Sequence, residues 1–207
     1  MNSRWSVNLR IVLLLVISGF FASPARAHLP IPPKKGEIGR KAVQTVVPDF
    51  TLMDQDGKPF QFAQARGKLI LLTFVFTTCP DLCPLLTAKF AAIQRSLRDE
   101  KRNDYLLLSI TTDPERDSPG ELKSYGARYE ADFRHWLFLT GSRGELKKVW
   151  DAFGVTVRKS SGGEIQHTTL TTLIDHQGMR RFDYYTDKWQ EKEILKDIAS
   201  LPPPKSK

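Results

Sequence analysis

Apolar and polar positions alternate in blocks along the chain, and the blocks differ in period. Residues 69–76 form a continuous, β-rich apolar run, the pattern of a strand covered on both faces. Residues 84–97 then place Leu86, Phe90, Ile93 and Leu97 at helical spacing. Residues 105–110 read as a second buried strand and 119–129 as a second helix, whose first turn holds Pro119 and Glu121. A third strand at 136–139 leads into a helix at 143–153. Residues 168–174 and 181–185 flank the turn Asp175-His176-Gln177-Gly178 as a β-hairpin, and 191–200 closes the pattern as a helix. Ahead of all this, Phe50-Thr51-Leu52-Met53 and Lys58-Pro59-Phe60 bracket Asp56-Gly57, which predicts a small N-terminal hairpin. Strands separated by helices build a parallel core, and the last hairpin adds antiparallel strands at one side. The expected architecture is an α/β sandwich with a mixed central sheet.

The flanks carry no such pattern. Residues 28–42, with Pro30, Pro32 and Pro33, read as a flexible lead-in, 43–201 as the folded domain and 202–207 as a tail. Residues 1–27 read as an export signal. Arg4 and Arg10 precede the apolar run 11–22, and Ala25 and Ala27 stand at −3 and −1 of a cleavage site after Ala27. The run falls short of the roughly 20 apolar residues that span a bilayer. The expected location is therefore the periplasm or another extracytoplasmic space, with membrane association only if the signal stays uncleaved.

Composition sharpens two points. Of 207 residues 41% are hydrophobic and 26% charged, as in a globular domain. The net charge of +8 falls to +5 once Arg4, Arg10 and Arg26 leave with the signal, and the remaining basic residues are dispersed, so a nucleic-acid partner is not expected. Only Cys79 and Cys83 provide sulfur nucleophiles, which excludes a disulfide-dense scaffold and any four-cysteine cluster within one chain.

Both cysteines fall where the first buried strand passes into the first long helix, at the carboxyl end of a strand where open α/β sheets place their sites. A helix N-terminus there favours thiolate. If the segment is helical, the two side chains are i and i+4 and share a face. Three chemistries compete. A structural disulfide suits an oxidising compartment, but so small a loop gains little from closure. A thiol–disulfide oxidoreductase is the second, although redox motifs on this architecture usually separate the sulfurs by two residues, not three. The third is a soft-metal site, Cu(I) on thiolates, with an imidazole accommodating Cu(II) or zinc. Such a site needs a third ligand. His28 lies in the lead-in, His135 at a strand start and His176 in a hairpin turn. His167 differs, because the mobile loop Ser160-Ser161-Gly162-Gly163 precedes it and a strand follows.

Thr77-Thr78-Cys79-Pro80-Asp81-Leu82-Cys83-Pro84, Asp113-Pro114-Glu115-Arg116-Asp117, the segment 141–154, and His167 ahead of Leu173-Ile174-Asp175 together resemble the Sco/SenC family. The resemblance covers 46–199 and implies a thioredoxin-like fold with helices on both faces. It further implies one copper per chain on Cys79, Cys83 and His167. The copper would be delivered to the binuclear copper centre of cytochrome c oxidase, or that centre's cysteines reduced before loading by the redox-active Cys79–Cys83 dithiol. A partner thiol reductant is then expected. Asp113 and Asp117 match the family's acidic loop; turn and helix capping is the ordinary expectation for them, support of the metal site or partner docking the sharper one. Thr78 stands where the family commonly has an aromatic residue or histidine, and Gln166 where an acid commonly precedes the ligand histidine. Both changes alter the surroundings of the metal without removing a ligand.

The rival function is a periplasmic thiol–disulfide oxidoreductase without stored metal, indifferent to His167. A peroxiredoxin-like peroxidase on the same fold is a third, but no arginine can be assigned to its site from sequence. Cleavage after Ala27 would also expose His28, whose α-amino group and imidazole form a chelating pair for Cu(II).

Overall fold

The structure is a computed structural model that describes residue 31 and residues 39–202. The expectations for the export signal, for His28 and for the end of the tail lie outside the described residues. Within them, a six-stranded mixed sheet has the order β1 (Gly39–Val46), β10 (Met179–Tyr185), β9 (Leu170–Ile174), β4 (Leu69–Val75), β5 (Tyr105–Thr111) and β6 (Trp136–Leu139). Its centre is β4, parallel to β5, which in turn pairs parallel with β6. Every residue of β4 and β5 is buried, as the continuous apolar runs require. On the other side β9 runs antiparallel to β4 and returns through the Asp175–Gly178 turn into β10. The mixed sheet expected from the sequence is thus present, as are its helices on both faces.

The pleat of β4 divides the core. Leu69 and Leu71 face α1 (Leu82–Asp99), α2 (Pro119–Ala127) and α4 (Glu191–Ser200), packing with Leu86, Phe90, Trp136 and Ile194. Ile70, Leu72 and Phe74 face α3 (Arg143–Phe153) and a 3-10 turn at Phe62–Ala65, packing with Leu146, Trp150 and Phe62. Ser142 and Glu145 close α3 with a reciprocal capping box, and Gly154 ends it in the left-handed conformation (φ 73°). The N-terminal hairpin forms as expected from β2 (Thr51–Met53) and β3 (Pro59–Gln61), with Gly57 at φ 74° supplying the turn.

Two elements differ from the sequence reading. Residues 39–42, assigned above to the flexible lead-in, belong to β1 (Gly39–Val46), which pairs antiparallel with β10 at the sheet edge. This strand is largely exposed and so lacks an apolar signature. Main-chain pairing holds it, with Arg40 bidentate to Asp197 at 2.6 and 2.7 Å, a carboxylate that also accepts from Tyr184. The Ser-Gly stretch before His167 is the turn of a second small hairpin, β7 (Val157–Lys159) and β8 (Ile165–His167). Because β9 is antiparallel to β4, its start lies beside the carboxyl end of β4, and the residues just before it are carried to the same edge as the cysteines.

Candidate metal centre

Helix α1 begins at Leu82, not Pro84, so Cys83 is its second residue while Cys79 precedes it in the turn. The shared helical face expected for the pair is therefore not how they meet. The Cys79 N–H donates to the Phe76 carbonyl at 3.2 Å, which folds the turn back. Its sulfur lies where the Cys83 thiol and the main-chain N–H groups of Asp81 and Cys83 all favour its thiolate. The Asp81 side chain makes no capping bond, and the first-turn N–H groups have no partner within the helix.

The consequence is two unlike thiols. The Cys83 thiol, with help from the two N–H groups, pulls the Cys79 pKa down to about 7 against the burial that opposes it. Cys83, only 1% exposed, is pushed far up, first by burial and then by the neighbouring sulfur. Both cysteines are free thiols. Val75, Phe76 and Ile165 pack around them.

His167 is buried at the end of β8, opposite Val157 in the hairpin, and not on a mobile loop. Its ring stands edge-on to Phe76, with centroids 5.8 Å apart. Nδ1 lies 3.0 Å from the Thr168 carbonyl. A carbonyl only accepts, so Nδ1 carries the proton and the lone pair of the neutral ring is on Nε2, the arrangement that prepares an imidazole to ligate. Phe76 touches both His167 and the sulfur cluster and so bridges the two halves of the site. Among the described residues, however, no three His, Cys, Asp or Glu side chains already stand together as a metal cage. The structure unites Cys79 with Cys83 and brings His167 to the same edge, one aromatic ring away.

The acidic loop divides its work differently from the capping expected of it. Ser118, not Asp117, caps α2, accepting from the Glu121 N–H. Asp117 is fully buried and accepts from the Thr77 N–H (3.2 Å), the Thr77 hydroxyl (2.5 Å) and the Thr111 hydroxyl (2.5 Å). It therefore ties the end of β5 to the residue two before Cys79. Burial raises its pKa, with the three donors opposing. Asp113 turns the loop by accepting main-chain N–H groups from Arg116 and Asp117, and its carboxylate pairs with Arg116 Nε at 2.6 Å. Neither Asp joins the sulfurs directly. Sequence reasoning missed the Phe76 bridge and the Thr77 anchor; Thr77 had a signal, being the polar residue that ends the apolar run.

The other two described histidines stay apart. His135 stacks on Tyr105, and His176, buried in the β9–β10 turn, lies 3.1 Å from Asp104 at the opposite end of the sheet. A cleft of about 200 Å³ opens beside Cys79, between Phe76, Thr78 and Pro80 on one wall and Arg116 and residues 162–165 on the other.

Comparison with known proteins gives a consistent answer. The family model described as SCO1/SenC matches residues 39–202. The chain is 32% identical over 197 residues to the SCO2-like protein of Rickettsia typhi, covering 92% of this chain and 95% of that one. Among solved structures, BsSco, described with a disulfide switch and as a member of the Sco family of cytochrome c oxidase assembly proteins, superposes with a TM-score of 0.68 at 31% identity, covering 77% of this chain and 95% of that one. Copper-bound ScoI of Bradyrhizobium japonicum superposes with a TM-score of 0.65 at 28% identity, covering 75% and 98%.

Proposed function

The chain belongs to the SCO1/SenC family with its thioredoxin-like fold, and from that premise we propose that it carries one copper ion on Cys79, Cys83 and His167. We infer that its destination is the binuclear copper centre of cytochrome c oxidase; that BsSco belongs to a family of cytochrome c oxidase assembly proteins supports the choice of oxidase. The observation that carries this reading is the sulfur pair itself: two free, buried thiols side by side at a helix N-terminus, one of them already inclined to thiolate. Two thiolates suit Cu(I), and the Nε2 lone pair of His167 supplies the borderline nitrogen that also accommodates Cu(II). Copper-bound ScoI supports the choice of metal. Because the three donors do not stand as a ready cage, the imidazole closes onto the sulfurs from its place on Phe76. A ligand that arrives last can also leave first, which suits a carrier.

A second reading rests on the unlike thiols. In it the Cys79 thiolate attacks a partner disulfide, one partner sulfur leaves as thiol, and Cys83, after losing its proton, displaces the second. Two electrons and the dithiol's protons pass to the partner, and Cys79–Cys83 closes as a disulfide until a thiol reductant reopens it. Copper carriage and this exchange exclude one another at any instant, since both use the same sulfurs. Both place the protein outside the cytoplasm, in the periplasm or an equivalent space, in keeping with the signal pattern of residues 1–27.

The ligand set is tested with Cys79→Ser, Cys83→Ser and His167→Ala. Each is expected to lower copper affinity severely and to change the absorption of the Cu(II) form. A His167→Ala protein with wild-type affinity and spectra in both copper states would remove the histidine from the site and leave the metal on the two sulfurs without it.

A further inference from the structure

The acidic loop 113–117 touches both halves of the site. On one side Asp117 anchors Thr77 ahead of Cys79. On the other, Arg116 and Glu115 reach the β7–β8 hairpin that ends in His167. Arg116 Nη2 donates to the Gly163 carbonyl at the hairpin tip, and Glu115 pairs with Lys159 on β7. Arg116 is itself held, since its Nε stands 2.6 Å from the carboxylate of buried Asp113, and Arg143 lies 3.5 Å from Glu115 on its far side. Two strands of three residues make a marginal element on their own. Ile165 is fully buried and Val157 half-buried, so the hairpin has a small apolar anchor and its position depends on ties from outside.

We propose that Arg116 and Glu115 are positioning residues: a two-point clamp that keeps the hairpin docked, so that His167 reaches the sulfur pair by a short movement of its ring. The proposal rests on the reading of His167 as a copper ligand. Without the clamp the hairpin swings, and the histidine must be ordered anew each time it closes, which shortens the life of the copper-bound state. The two ties share one loop with the Asp117–Thr77 anchor, so the hairpin is positioned with respect to the cysteine turn and not merely to the sheet. Both side chains are about half exposed, so their replacement leaves the core intact.

The test compares wild type with Arg116→Ala, Arg116→Lys and Glu115→Gln. In the metal-free reduced proteins, hydrogen exchange is followed at the Ser160, Gly163 and Thr168 amides, whose acceptors lie within or beside the hairpin. In the copper-loaded proteins, release of Cu(I) to a chelator is timed, with His167→Ala as control. Arg116→Ala is expected to speed both exchange and release by about fivefold, the scale of one hydrogen-bonded exposed ion pair. Arg116→Lys, a point charge without the fork, should restore part of this, and Glu115→Gln should show a smaller effect. The dithiol–disulfide potential should stay at the wild-type value in all three.

Wild-type exchange at those amides in Arg116→Ala overturns the clamp. So does faster exchange with unchanged copper release, provided His167→Ala releases copper quickly. If His167→Ala releases copper like wild type, the ligand reading is what falls, and the exchange arm alone decides whether the hairpin is clamped.

Discussion

At pH 7 about half of Cys79 is thiolate, because its pKa stands at about 7, whereas a thiol at the ordinary value of 9.0 is about 1% ionised. That raises the reactive fraction about fiftyfold. Intrinsic nucleophilicity falls as pKa falls, with a Brønsted slope of about 0.4–0.5, so a pKa lower by about two returns roughly eightfold of the gain. The net advantage is about sixfold before steric access is counted. Since Cys79 is only 7% exposed, the midpoint of the pH profile is a better reading than the absolute rate. The reduced, metal-free protein should be alkylated with iodoacetamide from pH 5 to 9 and each cysteine-containing peptide quantified by mass spectrometry. Cys79 is expected to label with a midpoint near 7, and Cys83 to resist labelling until much higher pH. Cys83→Ala removes the thiol that does most to hold the Cys79 pKa down, so the Cys79 midpoint moves up; Cys83→Ser keeps a donor and shifts it less. If Cys79 in the wild type titrates like an ordinary thiol, or if Cys83 labels first, the turn does not stabilise the thiolate.

Asp117→Ala strands three donors in a buried pocket, the Thr77 N–H and the Thr77 and Thr111 hydroxyls. Relief of carboxylate burial offsets part of the loss, leaving about 2–4 kcal/mol, or roughly 5–15 °C in Tm by thermal circular dichroism. An unchanged Tm would contradict the anchor. Gly126→Ala would bring a Cβ to 2.6 Å from the buried Phe138 ring and 3.0 Å from Phe133. A loss of about 1–3 kcal/mol is expected, seen as a lower denaturant midpoint at unchanged m. Asp104, bonded to Arg102 and His176, has its pKa lowered from 3.8 to about 2. A carboxylate that ionises more readily when folded stabilises above its unfolded pKa, and that stabilisation fades as pH falls from about 4 through about 2. Asp104→Asn should flatten this part of the acid limb in urea unfolding, and an identical limb would refute the contribution.

Much of this fold is legible because burial writes it into the sequence. The strands β4 and β5 are buried throughout and read as unbroken apolar runs, while α3 has both a capping Ser142-Glu145 pair and a terminal Gly154. The edge strand β1 is not legible, since the sheet holds it through main-chain pairing and the Arg40–Asp197 ion pair, neither of which leaves a periodic apolar trace. The cysteine pair could be located by type and spacing, but the start of α1 at Leu82 could not, because Asp81 at its N-terminus makes no side-chain capping bond that would have marked it. The neighbours of His167 in the chain distinguish it from the other histidines, whereas its edge-on contact with Phe76 depends on β9 running antiparallel to β4, a fact of topology. Asp117 shows the same limit. Its type suggested a turn or a cap, and only the fold discloses a buried anchor beneath Thr77.

In the function proposed above, one set of sulfurs, completed by His167, carries copper only while it is reduced. Its most direct test is a copper titration of the dithiol and disulfide forms side by side, with bound metal counted after removal of excess. One copper per chain is expected on the dithiol and none held tightly by the disulfide. Equal copper on both forms, or none on the dithiol, would contradict it.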